Sequence, residues 1–363
     1  MDDTAAVIFS SGSTGEPKGV VLSHFNVAAN IEQMVQLFHF KPQDVMIGVL
    51  PYFHSFGFTV TLWLPAMVGI GAVYHANPLE AQVIGALSRR YCGTILVATP
   101  TFMQSYLRRC DAQDFAHVWL PIVGAEKLSE RLANEWHGKF GKRPLEGYGA
   151  TECSPVVSVN APDFQEGGII QRGTKEGSIG RPLPGVAARI VDPDSGEPKV
   201  SGERGMLLVR GPNIMRGYLN NPEMTNCVLR DGWYRTGDLA WMDDEGFLHL
   251  ADRLSRFSKI GGEMVPHLKI EEALHEAIGA VERRFVVTSI ADERRGERLM
   301  VLHTLEPHEL EKAFIGLTSL PPLWRPKRDD FIREEQLPVL GSGKLDLCEA
   351  KKQAMRAAAV GVR

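Results

Sequence analysis

Residues 10–19 read SSGSTGEPKG and follow directly on the apolar run AAVIF at 5–9. The stretch holds three glycines, four hydroxyls, one proline and one lysine. Glycines let a backbone take φ > 0 and approach a ligand closely. Several N–H groups then converge on an anion, helped by hydroxyl donors and a lysine charge. A phosphate loop is therefore expected. The Walker pattern G-x-x-x-x-G-K-[ST] does not fit: counted from Gly12, it requires glycine at 17 and a hydroxyl at 19, where the chain has Pro17 and Gly19. Pro17 has no N–H for a phosphate, and Gly19 has no oxygen for a cation. A flexible Gly/Ser linker is the bland alternative. The flanking apolar runs 5–9 and 20–22 argue instead for two strands with the loop at their tip.

Composition narrows the classes. The chain has 363 residues, a length suited to two or three domains. Hydrophobic content of 44% with 23% charged residues is ordinary for a globular enzyme. A net charge of −4 lacks the basic excess of a nucleic-acid binder, so no nucleic-acid partner is expected. Cys92, Cys110, Cys153, Cys227 and Cys348 are scattered, with no C-x-x-C pair or Cys/His cluster to suggest zinc. Free thiols in a reducing compartment, and so the cytoplasm, are expected. No secretory signal opens the sequence. The apolar stretch 47–75 is interrupted by Pro51, His54 and Pro65. Its pieces fall short of the roughly 20 residues of a spanning helix, so it reads as buried core.

Residues 1–250 alternate short apolar strands with amphipathic helices, the signature of a layered α/β fold. Strands are expected at 45–50 and 94–98, and helices at 26–38, 79–90 and 129–140, the last opened by Ser129 and Glu130. Between 177 and 250 glycine and proline punctuate β-rich runs, among them ARIVD at 188–192 and GMLLVRG at 205–211. That is a β subdomain. A helix at 270–278 and strands at 284–292 and 298–305 follow, with arginines at 283–284, 294–295 and 298. The division expected is a large domain at 1–254 and a small α+β domain at 255–363. A strand already begins near Thr4, so either the sheet starts here or an N-terminal part of the large domain is missing.

The loop is one of several ordered motifs. GYGATECSP spans 147–155, GSIGRPLPG 177–185, WYRTGDL 233–239, DRLSRFSKIGGEMV 252–265 and LPVLGSGKLD 337–346. Together they resemble the adenylate-forming (AMP-binding) superfamily of acyl-CoA synthetases, peptide-synthetase adenylation domains and luciferases. The resemblance runs the length of the chain in the right order. It implies a large layered α/β domain with a β subdomain, followed by a small mobile α+β domain. It also implies a two-step reaction. A carboxylate attacks the α-phosphate of Mg²⁺-bound ATP, giving acyl-AMP and pyrophosphate. A phosphopantetheine thiol of acyl-carrier protein or CoA then takes the acyl group.

The same resemblance assigns roles to residues. Ser11, Gly12, Ser13, Thr14, Gly15 and Lys18 would hold the β- and γ-phosphates. Tyr148 would lie against adenine beside Gly149, with Gly124, Ala125 and Glu126 on the adenine-side turn. Thr151 would contact the α-phosphate, and Glu152, with Thr14, would hold Mg²⁺. Asp238 would accept from the ribose hydroxyls, and Arg253 would contact ribose or phosphate. Lys344 would reach the reacting oxygens, and His54 would stand beside the acyl pocket. Read alone, Asp238 serves a turn, Glu152 caps a helix, Lys344 is solvated and His54 is a core residue. Phe53, Phe56, Phe58 and Trp63 suggest a medium or long fatty acid as substrate.

Two segments depart from the common pattern. ADRLSRFSK at 251–259 has Asp252 for the glycine, and Ser255 with Arg256 where paired acids would stand. Met264 replaces an arginine that many relatives keep, so that role is not carried over. With GPNIMRGYL at 211–219, these segments resemble the synthetase part of acyl-acyl-carrier-protein synthetases. There it is fused behind a 2-acylglycerophosphoethanolamine acyltransferase domain, which is expected to be absent from this chain. The resemblance implies phospholipid metabolism, carrier protein ahead of CoA as acceptor, and peripheral association with the cytoplasmic face of the inner membrane through the absent domain. The competing expectation is a non-catalytic nucleotide-binding or carrier-docking fragment.

Overall fold

The computed structural model describes residues 1–11, 17–253, 256–261, 263–280, 282–292, 294–339 and 345–360. The chain divides into two compact units, the first comprising Met1–Ser10 and Pro17–Ala251, the second running from Asp252 onward.

In the first unit the strands Thr4–Ser11 and Pro17–Ser23 pair side by side, as the two apolar runs led us to expect. A third strand, Gly217–Tyr218, joins antiparallel to Pro17–Ser23, with Gly217 opposite Val21 and Tyr218 opposite Val20. Val20 and Leu22 are fully buried while Phe9 on the neighbouring strand is 62% exposed. The helix His24–Leu37 starts two residues earlier than the expected 26–38. Ser23 caps it, and Asn26 reaches back to the Ser23 N–H at 3.0 Å, completing a capping box.

The main layer is a seven-stranded sheet. Its order is Arg181–Pro182, Val156–Val159, Leu145–Gly149, Leu120–Val123, Ile95–Ala98, Val45–Gly48, Gly71–Tyr74. The last five run parallel, and the first two are antiparallel additions. Ile95, Leu96, Val97 and Ala98 are all fully buried, as a parallel strand covered on both faces requires. Helices Ala81–Arg90, Pro100–Arg109 and Glu130–Phe140 carry one cover. Tyr106, Phe115, Trp136 and Phe140 pack there with ring centroids 4.4–5.9 Å apart. Truncating Phe115 to alanine would cost about 3–5 kcal/mol.

The stretch 47–75 bears out its reading as buried core in part: Ile47, Val49, Leu50, Val60, Leu64 and Ile70 are buried. It holds two short strands, a π-helix Phe56–Trp63 and a helix Leu64–Val68. Gly57, Thr59, Val60 and Thr61 face inward, whereas Phe53, Trp63 and Met67 are 67%, 42% and 53% exposed. A five-stranded antiparallel sheet completes the unit: Ala187–Val191, Gly205–Arg210, Trp233–Met242 and Leu229–Arg230 in line, with Leu248–Arg253 also on Trp233–Met242.

The second unit is built on another five-stranded sheet. Phe257–Ile260 lies between Glu263–Pro266 and Gly296–His303, Phe285–Asp292 takes the far side, and Phe331–Arg333 joins Gly296–His303 in parallel. The strand expected at 298–305 runs two residues out of register with that range, as Gly296–His303. Alternate residues feed two cores, Phe285 and Val287 into one and Val286 and Ile290 into the other. Helices His267–Ile278, Pro307–Gly316 and Leu347–Val360 cover them.

Candidate active site

Ligands of open α/β sheets bind beyond the carboxyl ends of the parallel strands. The strand Leu145–Gly149 ends there, in a short turn Thr151–Cys153. Gly149 is needed at its tip: a Cβ would lie 2.2 Å from the Pro155 carbonyl oxygen. The Tyr148 hydroxyl donates to Oδ2 of Asp238, 90 residues away in sequence and only 3% exposed. The Asp238 N–H donates to Thr236 Oγ1 at 3.0 Å, and that hydroxyl donates to the Leu207 carbonyl at 2.8 Å. Asp238 is therefore more than a turn residue. One phenol proton occupies one lone pair of its carboxylate and leaves acceptor capacity for a diol.

Thr151 and Glu152 face two different parts of the chain. Ser55 Oγ donates to Thr151 Oγ1 at 3.2 Å, joining the turn to the segment that carries His54. The Tyr218 hydroxyl donates to Glu152 Oε1 at 2.9 Å, and the Met215 N–H donates to the Glu152 carbonyl at 2.8 Å. Burial, with the Glu152 charge behind it, pushes the Tyr218 phenol well above its ordinary range, so it remains a donor. Tyr218 also sits on the short strand that pairs with the strand leaving the expected phosphate loop. Leu219 N–H donates to Gly19 O at 2.7 Å, and Lys18 Nζ stands 5.4 Å from the Tyr218 ring centroid. That is within cation–π range. Tyr218 thus connects the loop's exit to Glu152.

The third edge is the turn after Leu120–Val123. Gly124 packs under the Phe56 ring, which a Cβ would meet at 3.1 Å, and Ala125 takes φ of 70°. Glu126 accepts from Thr101 Oγ1 at 2.6 Å. The Leu128 N–H closes the turn on Glu146 Oε1 at 3.0 Å. Burial pushes the Glu146 carboxyl up to about 7, against the opposing pull of that N–H. Sequence reading passed over Glu146, although it stands two residues before Tyr148. It also passed over Ser55 and Tyr218. His54 packs against Phe53 with centroids 4.5 Å apart, and its carbonyl accepts from the Phe58 N–H at 2.9 Å at the head of the π-helix. π-Helical turns recur at functional sites.

Tyr148, Thr151, Glu152, Asp238 and Lys18 are thereby joined by contacts within one unit, with Gly124, Ala125 and His54 tied in through Phe56 and Ser55. Gly12, Ser13, Thr14, Gly15 and Lys344, and the side chains of Ser11 and Arg253, lie outside the described residues. A magnesium ion takes hard oxygen donors, using one or two carboxylates together with substrate phosphates. Glu152 fits that chemistry. Among the described residues no group of three or more His, Cys, Asp and Glu could hold a metal unaided, so phosphate oxygens would complete the shell.

A sequence profile of the AMP-binding enzyme family matches residues 1–219. The long-chain-fatty-acid–CoA ligase of Bacillus subtilis (strain 168) is 32% identical over 357 residues, covering 94% of this chain and 60% of the ligase. Among solved structures, ATP-bound MatB from Rhodopseudomonas palustris is similar at a TM-score of 0.82 and 30% identity, over 97% of this chain and 68% of that one. The O-succinylbenzoate CoA synthetase MenE from Bacillus subtilis, in complex with ATP and magnesium ion, matches at 0.82 and 26%, over 97% and 70%. The chain belongs to the AMP-binding enzyme family, and its fold is that of the adenylate-forming enzymes. It spans about 60% of the length of the curated relative. Among the described residues no helix is long and apolar enough to cross a membrane.

Proposed function

We propose that the chain carries the adenylating site of an AMP-forming acid–thiol ligase acting on a fatty acid. A carboxylate oxygen attacks the α-phosphorus of ATP, the bond to the β-phosphate oxygen breaks, and pyrophosphate leaves. A thiol sulfur then attacks the acyl carbon, the acyl–phosphate bond breaks, and AMP and a thioester remain. The observation that carries this reading is the Tyr218 bridge. It couples the exit of the glycine-rich loop to Glu152, so pyrophosphate and α-phosphate contacts fall in one frame.

In this reading Asp238, held by Tyr148, binds the ribose diol, and the Gly124–Ala125–Glu126 turn flanks the adenine. Thr151, oriented by Ser55, donates to the α-phosphate as charge grows on its oxygens. Glu152 would hold Mg²⁺ with Thr14 and the phosphates, and the ion would supply charge neutralisation. Lys344, by family resemblance, would add a cation at the reacting oxygens. The acyl side is assigned to Phe56 and Phe58, which are partly buried, with His54 beside them. Phe53 is too exposed to serve as a wall.

Carrier protein stood ahead of CoA in the sequence reading. The relative above is named a CoA ligase, and CoA is therefore the acceptor proposed first. Two measurements made together test the reading: calorimetric titration with ATP, and ATP–pyrophosphate exchange driven by fatty acids. Binding with acid-dependent exchange is expected. Binding without exchange would favour the non-catalytic nucleotide-binding fragment.

A further inference from the structure

Four buried amides stand behind the turn Thr151–Cys153. Asn26, Asn30 and Gln33 belong to the helix His24–Leu37, and Asn213 to the segment leading into Gly217–Tyr218; none is more than 6% exposed. Burying an amide costs free energy unless its hydrogen bonds are made. A helix face that served packing alone would carry apolar residues at these positions.

The amide donors go to two stretches of backbone. Asn26 Nδ2 donates to the carbonyls of Pro212 and Ile214, both at 2.8 Å, and so fixes the segment that presents Asn213. Asn213 Nδ2 donates to the Cys153 carbonyl at 2.8 Å and to the Val156 carbonyl at 3.2 Å. Asn30 Nδ2 meets the same Val156 carbonyl at 2.8 Å, and Asn30 Oδ1 accepts the Val156 N–H at 3.0 Å. Asn30 Nδ2 also donates to Gln33 Oε1 at 3.2 Å, which fixes the orientation of that amide. Asn213 Oδ1 has no partner among the described residues. Asn213 therefore serves through the donor it directs at the turn.

The gripped residues bracket a strained point. Ser154, between Cys153 and Val156, takes φ of 69° and is fully buried. A residue other than glycine holds that conformation only where its surroundings over-determine it. Without the two asparagines this backbone can relax, and Glu152 and Thr151 lie immediately upstream of Cys153. The helix that supplies Asn26 and Asn30 begins directly after Pro17–Ser23, the strand leaving the phosphate loop. Loop and turn are thus tied through one helix.

We propose that Asn30 and Asn213 are positioning residues for the adenylating step: by sharing the Val156 carbonyl they hold Thr151 and Glu152 in place against the phosphates of ATP. This rests on the proposed function. Asn30→Ala and Asn213→Ala should each lower kcat for fatty-acid-driven ATP–pyrophosphate exchange by about 10²-fold, the effect of a displacement of about 1 Å. Circular dichroism at the assay temperature gives the folded fraction to which kcat is referred. The KM for ATP should move far less, because the Tyr148–Asp238 contact lies outside the clamp. Acting through one carbonyl, the two changes should combine to little more than either alone. An unchanged kcat, a loss confined to KM, or losses that multiply in Asn30→Ala/Asn213→Ala would overturn the proposal.

If an alanine variant does not fold, Asn213→Val replaces it, filling the space without a donor, and the same fall in kcat is expected. If the parent itself forms no adenylate, the proposed function fails and the clamp is read by calorimetry. Asn213→Ala should then lose affinity for Mg²⁺-bound ATP and keep its affinity for adenosine, which has no phosphate to misplace. Equal losses for both ligands, or no loss for either, would overturn the clamp alone.

Discussion

The two units spend their polar side chains differently. In the first, motif residues bond to one another across long stretches of chain: Tyr148 to Asp238, Tyr218 to Glu152 and Ser55 to Thr151, 90, 66 and 96 residues apart. In the second, the ion pairs mostly join an arginine to a carboxylate and cancel its charge. The contrast teaches where preorganisation sits. Donors fixed before the substrate arrives cost no reorganisation during reaction, and the first unit holds them. The second unit's paired arginines serve its own packing.

Lys344→Ala breaks this division of labour most severely. A single cation in the second unit would be lost while the first unit's frame stays intact. Exchange should fall by about 10²–10³-fold, with ATP binding by calorimetry nearly unchanged. Loss of binding along with exchange would move Lys344 from catalysis to nucleotide recognition.

Glu152→Gln strikes the frame itself. The amide still accepts from Tyr218 but has no charge for a cation, so exchange should drop about 10²-fold. Raising the Mg²⁺ concentration should recover part of it. Insensitivity to magnesium would show that Glu152 serves only its Tyr218 bond.

Tyr148→Phe is milder. It removes one hydrogen bond to a buried carboxylate, a loss of about 1–3 kcal/mol. The KM for ATP should rise about tenfold or more, with kcat changed less. An equal loss with 2′-deoxy-ATP as substrate would separate support of Asp238 from direct ribose contact.

The last effect is read in stability rather than turnover and sharpens the comparison by pH. Glu146 in the first unit has its carboxyl raised from 4.5 to about 7 by burial, so the folded state holds an extra proton between those values. Stability from that proton is full below 4.5 and is lost as pH rises through about 7, by ~3 kcal/mol. His267 in the second unit is lowered from 6.5 to about 3 by burial, with Arg256 and Lys351 adding to the effect. Its contribution is full above 6.5 and lost as pH falls toward 3. Hydrogen exchange corrected for intrinsic rates should show the first unit loosening toward alkali and the second toward acid. Glu146→Gln should flatten the first trend alone.

Much of this was legible in the sequence. The two runs flanking SSGSTGEPKG paired as expected, because a loop between two apolar strands has few other ways to close. Ser129 marked its helix as an N-cap should, accepting from Leu132 N–H at 3.3 Å. Other features left weaker traces. The π-helix Phe56–Trp63 has no period that distinguishes it from a strand. The helix Pro307–Gly316 was missed although Glu306 and Glu309 form a capping box around Pro307. Tyr218 and Ser55 gained meaning only when the fold brought them to Glu152 and Thr151, and no local pattern encodes a partner 66 or 96 residues away.

The most direct test of the account is mass spectrometry of the chain mixed with a fatty acid, ATP and Mg²⁺ and no thiol. We expect the acyl-AMP mass, with pyrophosphate released in equal amount and the adenylate lost in Lys344→Ala. ATP bound without adenylate, or ADP and phosphate as products, would contradict it.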